Sequence, residues 1–142
     1  VTVLYRLAGQ PYVSTASMAF TDVADPSSYY YNAVAWASQN GIVTGYVDGS
    51  FRPDASITRE QMAAIMYRYA DFAGYSVQIG STEKFDAFPD SVSVADWATS
   101  ALMWATDRGI INGADGMLLP THTATRAQVA QIIMNFGNTA RI

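Results

Sequence analysis

An all-α fold built from tandem helix-loop-helix repeats is predicted by three features of this sequence. A segment that begins at Phe20 recurs 68 positions later at Phe88. Within each copy, apolar residues return at the i, i+3, i+4, i+7 spacing that lines one face of a helix. The predicted helices also carry recognisable starts and stops.

The repeat is read residue against residue. Phe20-Thr21-Asp22 matches Phe88-Pro89-Asp90, Tyr29 matches Trp97, Ala33 matches Ala101, and Trp36-Ala37 matches Trp104-Ala105. Gly41-Ile42-Val43-Thr44-Gly45 then matches Gly109-Ile110-Ile111-Asn112-Gly113. One residue is lost from the second loop, so Asp48-Gly49 faces Asp115-Gly116, Pro53 faces Pro120, and Thr58-Arg59-Glu60-Gln61 faces Thr125-Arg126-Ala127-Gln128 at an offset of 67. A partial third copy opens the chain, since Val3-Leu4-Tyr5-Arg6-Leu7-Ala8 is similar to Ile65-Met66-Tyr67-Arg68-Tyr69-Ala70. Val1 to Leu7 lacks a helix start, which predicts that further residues precede it. The expected organisation is the last helix of a truncated repeat over residues 1–9, a complete repeat over 20–72 and a complete but divergent repeat over 85–138. Linkers at 9–19 and 73–84 are rich in Gly, Ser, Thr and Gln, have no helical periodicity, and read as surface connectors.

In the first helix of the 20–72 copy, Tyr30, Ala33, Val34 and Ala37 form one apolar face. Asn40-Gly41 stops that helix, as Arg108-Gly109 stops its counterpart, because glycine enters the left-handed conformation cheaply. The second helices carry Met62, Ile65, Met66 and Tyr69, and Val129, Ile132, Ile133 and Phe136, at the same spacing. Their starts read as capping boxes, Thr58 with Gln61 and Thr125 with Gln128. Asp48-Gly49, flanked by Tyr46 and Phe51, reads as a tight reversal. The second helices are expected to pack together, with residues 1–9 as a third central helix, so that deleting the stub exposes Met66 and Ile133.

Composition narrows the function classes. The 142 residues are 50% hydrophobic and 14% charged, which suits a folded core. The net charge is -4, with eight Lys plus Arg spread thinly from Arg6 to Arg141, so no basic stripe exists for a nucleic-acid partner. The absence of Cys removes disulfides and thiolate chemistry. No apolar run reaches the roughly 18 residues that membrane insertion requires. Catalysis lacks raw material: His122 is the lone histidine, with no Cys or second His to build a zinc site. An Asp22–Asp25 pair has no carboxyl spacing that a sequence can reveal, and Asp48-Gly49-Ser50 lacks the regular ligands and terminal Glu of a calcium loop. The expectation is no enzyme, no metal and no cofactor.

The string from Gly41 through Pro53, leading into Ile57-Thr58-Arg59-Glu60-Gln61, resembles the S-layer homology family, as do Phe20, Asp22 and Trp36. The resemblance covers residues 20–72, more weakly 85–138, and the opening stub. It implies repeats packed as a pseudo-threefold spindle around a central helical bundle. It also implies a secreted, non-catalytic anchor that binds cell-wall polysaccharide non-covalently, usually a pyruvylated secondary polymer. The location implied is extracellular, in the bacterial cell wall or S-layer, associated with peptidoglycan. In that family the arginine of the Thr-Arg motif and the Gly-bearing loop before it line the binding grooves. Here those positions are Arg59 and Gly45, with Arg126, Gly113 and the Asp115-Gly116 turn in the second copy. That copy departs from the pattern, with Leu118 and Leu119 in place of Phe51 and Arg52. An alternative is an interaction or self-assembly module that keeps the scaffold without the polysaccharide.

A pyruvate ketal is a carboxylate, and a capped helix start offers it free N–H groups and the positive end of the helix dipole. Arg59 would add a bidentate bond there. The competing reading pairs Arg59 with Asp48, Asp54 or loop carbonyls. Tyr29, Tyr30, Tyr31, Trp36, Tyr46, Trp97 and Trp104 are candidates to stack on a sugar; of these Tyr30, Tyr46 and Trp97 read best as groove residues, and Trp36 and Trp104 as core. Asp48 belongs with the groove, whereas Asp22 and Asp90 read as structural, capping the first helix of each copy.

Overall fold

The computed structural model describes residues 1–13, 18–46 and 48–140. Residues 14–17 of the first expected linker, Val47 of the loop string, and Arg141 lie outside that description. Among the described residues six α-helices run in chain order: α1 Thr2–Leu7, α2 Tyr31–Gln39, α3 Arg59–Phe72, α4 Glu83–Asp86, α5 Asp96–Asp107 and α6 Arg126–Ala140, with a 3-10 turn at Ser91–Ser93 before α5. No strand forms among the described residues, so the all-α class holds. Among those residues two isolated bridges occur, Thr58 with Thr123 and Ala114 with Met117.

The chain divides into two compact units, Val1–Ala55 and Ser56–Ile142. This division falls between the loop and the last helix of the 20–72 segment, because the last helix of one copy packs on the first helix of the next. In the first unit α1 lies on α2, and in the second α3 lies on α5. The same aromatic pair marks both joints: Tyr5 meets Trp36 with ring centroids 5.4 Å apart, and Tyr67 meets Trp104 at 5.7 Å. The two second helices touch through Tyr69 and Phe136, at 5.9 Å.

The apolar faces are buried as periodicity requires. In α2, Ala33, Val34, Trp36 and Ala37 are buried, in α3 Met62, Met66 and Tyr69, and in α6 Ile132 and Phe136. The glycine stops are real, with Gly41 at φ +72 and Gly109 at φ +70. Both capping boxes form, since Thr58 Oγ1 accepts from Gln61 N at 3.2 Å and Thr125 Oγ1 from Gln128 N at 3.1 Å. The Asp48 carboxylate holds its turn by accepting from Ser50 N and Ser50 Oγ. Helix α4 begins at Glu83, inside the linker expected over 73–84, buries Phe85 and packs against α5.

Candidate functional site

Each loop is clamped from the start of its own copy. Asp22 accepts from Phe51 N at 2.8 Å and Arg52 N at 2.7 Å, and Asp90 accepts from Leu118 N at 2.9 Å and Leu119 N at 2.8 Å. The carboxylates therefore bind the far side of the loop, 29 or 30 residues away for Asp22, where α-helix capping had been expected. They stabilise a costly backbone, because Arg52 and Leu119 are non-glycine residues at φ +59 and +52. The N–H bond from Phe51 first, and that from Arg52, hold Asp22 below the usual carboxylate range. Burial pushes Asp90 up, but the bonds from Leu118 and Leu119 outweigh it and leave Asp90 lowered as well.

Gly45 and Gly113 are part of the same device. A Cβ on Gly45 would lie 2.3 Å from the Phe20 ring, and one on Gly113 2.6 Å from the Phe88 ring. Both glycines also sit at positive φ, +73 and +78. They let a phenylalanine ring press on loop backbone, which no other residue permits.

Arg59 departs from the exposed fork that its motif suggested. Only 4% of it is exposed. Its Nε–H donates to the carbonyl of Leu118 at 2.8 Å, so its bond runs to the loop of the following copy. Burial lowers its pKa, opposed by the charge of Asp90. The α3 start is filled by the same loop: Arg59 N donates to the His122 carbonyl at 3.0 Å and Glu60 N to the Pro120 carbonyl at 2.9 Å. Glu60 is buried too, and its Oε2 accepts from Ala95 N at 3.1 Å. Ala95 is the N-cap of α5 and has no side chain able to cap it. Glu60 thus supplies a cap from a neighbouring helix, with its negative charge at the positive dipole end.

Helix α6 repeats the motif without the joint. Arg126 is exposed, and neither its side chain nor the N–H groups of Arg126 and Ala127 have a partner among the described residues. Ala127 stands where α3 has Glu60. The free N–H groups and exposed guanidinium foreseen at a capped helix start are present at α6 and absent at α3.

The remaining candidates separate by exposure. In the first unit, the Arg52 guanidinium lies 3.8 Å from the Tyr46 ring centroid and 3.4 Å from Asp48, so Tyr46, Asp48 and Arg52 form one surface cluster. Tyr30 is half-buried at the N-cap of α2, edge-on to Tyr29 at 5.1 Å. Trp97, in the first turn of α5, is 56% exposed, and Tyr29, its counterpart at the 68-residue offset, is 82% exposed. Trp36 and Trp104 are core residues. Among the described residues no cluster of three metal-ligating side chains occurs, and no helix is long and apolar enough to cross a membrane.

Comparison with known proteins fits this repeat. The profile of the S-layer homology domain matches residues 19–63 and 87–130. An amylopullulanase of Thermoanaerobacterium thermosulfurigenes is 40% identical over 123 residues, which is 84% of this chain and 6% of that protein. Exoglucanase XynX of Acetivibrio thermocellus is 40% identical over 118 residues, 80% of this chain and 10% of the enzyme. The cellulosome-anchoring protein of Acetivibrio thermocellus is 30% identical over 93 residues, 65% of this chain and 20% of that protein. The chain thus spans a small fraction of each relative. It is a member of the S-layer homology domain family.

Proposed function

We propose that this chain is a non-catalytic, extracellular anchor that holds a protein to the bacterial cell wall or S-layer by binding an acidic secondary polysaccharide, pyruvylated in the form expected here. The family supports the anchoring role. Proteins with names as different as an amylopullulanase, an exoglucanase and a cellulosome-anchoring protein share this module over a small part of their length. A part common to different catalysts is better suited to placing them than to reacting.

The observation that carries the acidic ligand is the state of Arg126. A guanidinium exposed beside two N–H groups with no partner among the described residues, at a capped helix start, is an anion site in a protein whose net charge is -4. Trp97 and Tyr29 offer open rings for sugar stacking, and Tyr46 with Arg52 and Asp48 offers a polar cluster in the other unit. Tyr30 adds a half-buried ring beside Tyr29 in that unit. Arg59, Gly45 and Gly113 act on this reading by fixing the loops. The test is sedimentation with purified wall sacculi before and after chemical removal of the secondary polymer. Binding that depends on the polymer and falls with Arg126→Ala supports the proposal, and polymer-independent binding refutes it.

A second reading has one observation in its favour. The α3 start holds a loop of the next copy through Arg59 and Glu60, so the α6 start could hold a loop from another protein, as in a self-assembly module. Ala127 weighs against it, because the carboxylate that caps the neighbouring helix at the α3 joint is missing.

A further inference from the structure

In the second unit, a cleft of about 170 Å³ opens between the end of α5, the end of α6 and the linker that follows α3. Its floor is apolar: Trp104, Phe136 and Ile110, each about 1% exposed, with Tyr75 edge-on to Phe136 at 5.8 Å. Its rim carries the Ser76 and Thr139 hydroxyls and the half-buried Arg108 guanidinium. The rim is already ordered. Arg108 Nη2 donates to the Gln78 carbonyl at 2.9 Å and to Ser76 Oγ at 3.3 Å, and Trp104 Nε1 donates to the Ser76 carbonyl at 3.3 Å.

Arg108 has no ion-pair partner among the described residues. The ion pair found among the described residues is Arg52 with Asp48, and Arg108 Nε and Nη1 make no bond there. A guanidinium fixed at the edge of an aromatic cleft, with Nη1 still free to donate, is poised for an anion that supplies the missing charge. The volume limits what fits. A cavity of about 150 Å³ takes a molecule the size of benzene, and sites for larger ligands start at roughly 300 Å³. The cleft therefore suits one substituent and not an entire oligosaccharide.

We propose that this cleft is a second, independent subsite for a small carboxylate bearing a methyl group, with the methyl on Trp104 and Phe136, the carboxylate on Arg108 Nη1, and the Ser76 and Thr139 hydroxyls at its edge. A pyruvate ketal on a sugar has this shape, and so does free lactate. As a wall-polymer subsite the cleft rests on the function proposed above, and it would give that polymer a second grip. Thirteen residues of helix at about 1.5 Å each separate Thr139 from Arg126 by roughly 20 Å, so one polymer strand reaching both gains effective concentration. The first unit has no equivalent, because Asn40 replaces Arg108 and donates instead to its own helix at the Trp36 carbonyl.

The test follows the Trp104 indole N–H by NMR in the full chain, assigned through Trp104→Phe, during titration with a pyruvylated methyl hexoside, its methyl ester, lactate and lactamide. The expected result is a saturable shift with both carboxylates, at least tenfold weaker with the neutral ester and amide. Stronger binding of the hexoside identifies the polymer as the source, whereas equal binding assigns the cleft to free carboxylates. Arg108→Gln should abolish the shift and Arg108→Lys should restore part of it, with unchanged far-ultraviolet dichroism in both. If Arg108→Gln unfolds the chain, Thr139→Val serves in its place and should weaken binding several-fold. No shift with any carboxylate, or equal binding of ester and acid, overturns the subsite. Polymer-dependent sedimentation that persists without the shift would leave the anchoring function standing. The shift without polymer-dependent sedimentation would leave the cleft standing and the anchoring function refuted.

Discussion

Arg59 donates its Nε–H to the carbonyl of Leu118, 59 residues further along the chain, at 2.8 Å. The arginine of the most recognisable motif in the chain is thus a bolt between one copy and the next. Arg59→Ala should cost about 1.5–3 kcal/mol of stability, the range for a hydrogen bond with a charged donor. Urea unfolding would measure that loss. Sacculi sedimentation of the folded fraction should stay within twofold of the parent, and a large affinity loss at unchanged stability would return Arg59 to the ligand site.

Two glycines should prove far less replaceable than a third. Gly45→Ala and Gly113→Ala combine a left-handed backbone with a phenylalanine ring closer than 3 Å, and should each cost roughly 2–5 kcal/mol from strain and overpacking together. Gly41→Ala has nothing within 4 Å of its new Cβ and should cost about 1–2 kcal/mol, the backbone penalty alone. Equal losses at the three positions, in thermal or urea melts, would contradict the ring-on-backbone account.

Acid should loosen the loops. Asp22 and Asp90 are both lowered in the fold, so their contribution is present above the unfolded carboxylate pKa of about 3.9 and is lost as pH falls through the folded value. Melting temperature should be level from pH 7 to about 5 and should decline below about 4. Asp22→Asn with Asp90→Asn should lower stability at pH 7 and flatten the acid decline. An unchanged acid slope in that double variant would show that other groups govern it.

The exposed rings make the opposite kind of prediction. Trp97→Ala and Tyr29→Ala should leave stability within about 0.5 kcal/mol, as for surface positions generally, while weakening wall binding. A melting loss comparable to that of Trp104→Ala, about 3–5 kcal/mol for a buried aromatic, would mean that these rings are structural.

The local structure was legible in the sequence because local chemistry decides it. Thr58 with Gln61 and Thr125 with Gln128 cap helices within three residues, and Gly41 and Gly109 end them. What helical spacing cannot reveal is the partner of a buried face. Met62 and Met66 had to be covered, but that α5 of the next copy covers much of α3 depends on contacts across dozens of residues. The roles of Asp22 and Asp90 were hidden for the same reason, since each grips loop N–H groups 28–30 residues away. Arg59 and Arg126 look alike in sequence and differ in environment, because the loop of the 85–138 copy fills the α3 start and no described residue fills that of α6. Arg108 carried no motif at all. Only the fold places it at the edge of an aromatic cleft, with no ion-pair partner among the described residues.

The most direct measurement compares the parent chain and Arg126→Ala for sedimentation with sacculi whose secondary polymer is intact, stripped of pyruvyl ketals by mild acid, or removed. The account predicts strong binding to intact walls, weakening as salt screens the charge. It also predicts a loss of roughly 10- to 100-fold with Arg126→Ala, the equivalent of one charged hydrogen bond, and a similar loss on ketal removal. Equal binding to all three preparations, indifferent to Arg126, would contradict it.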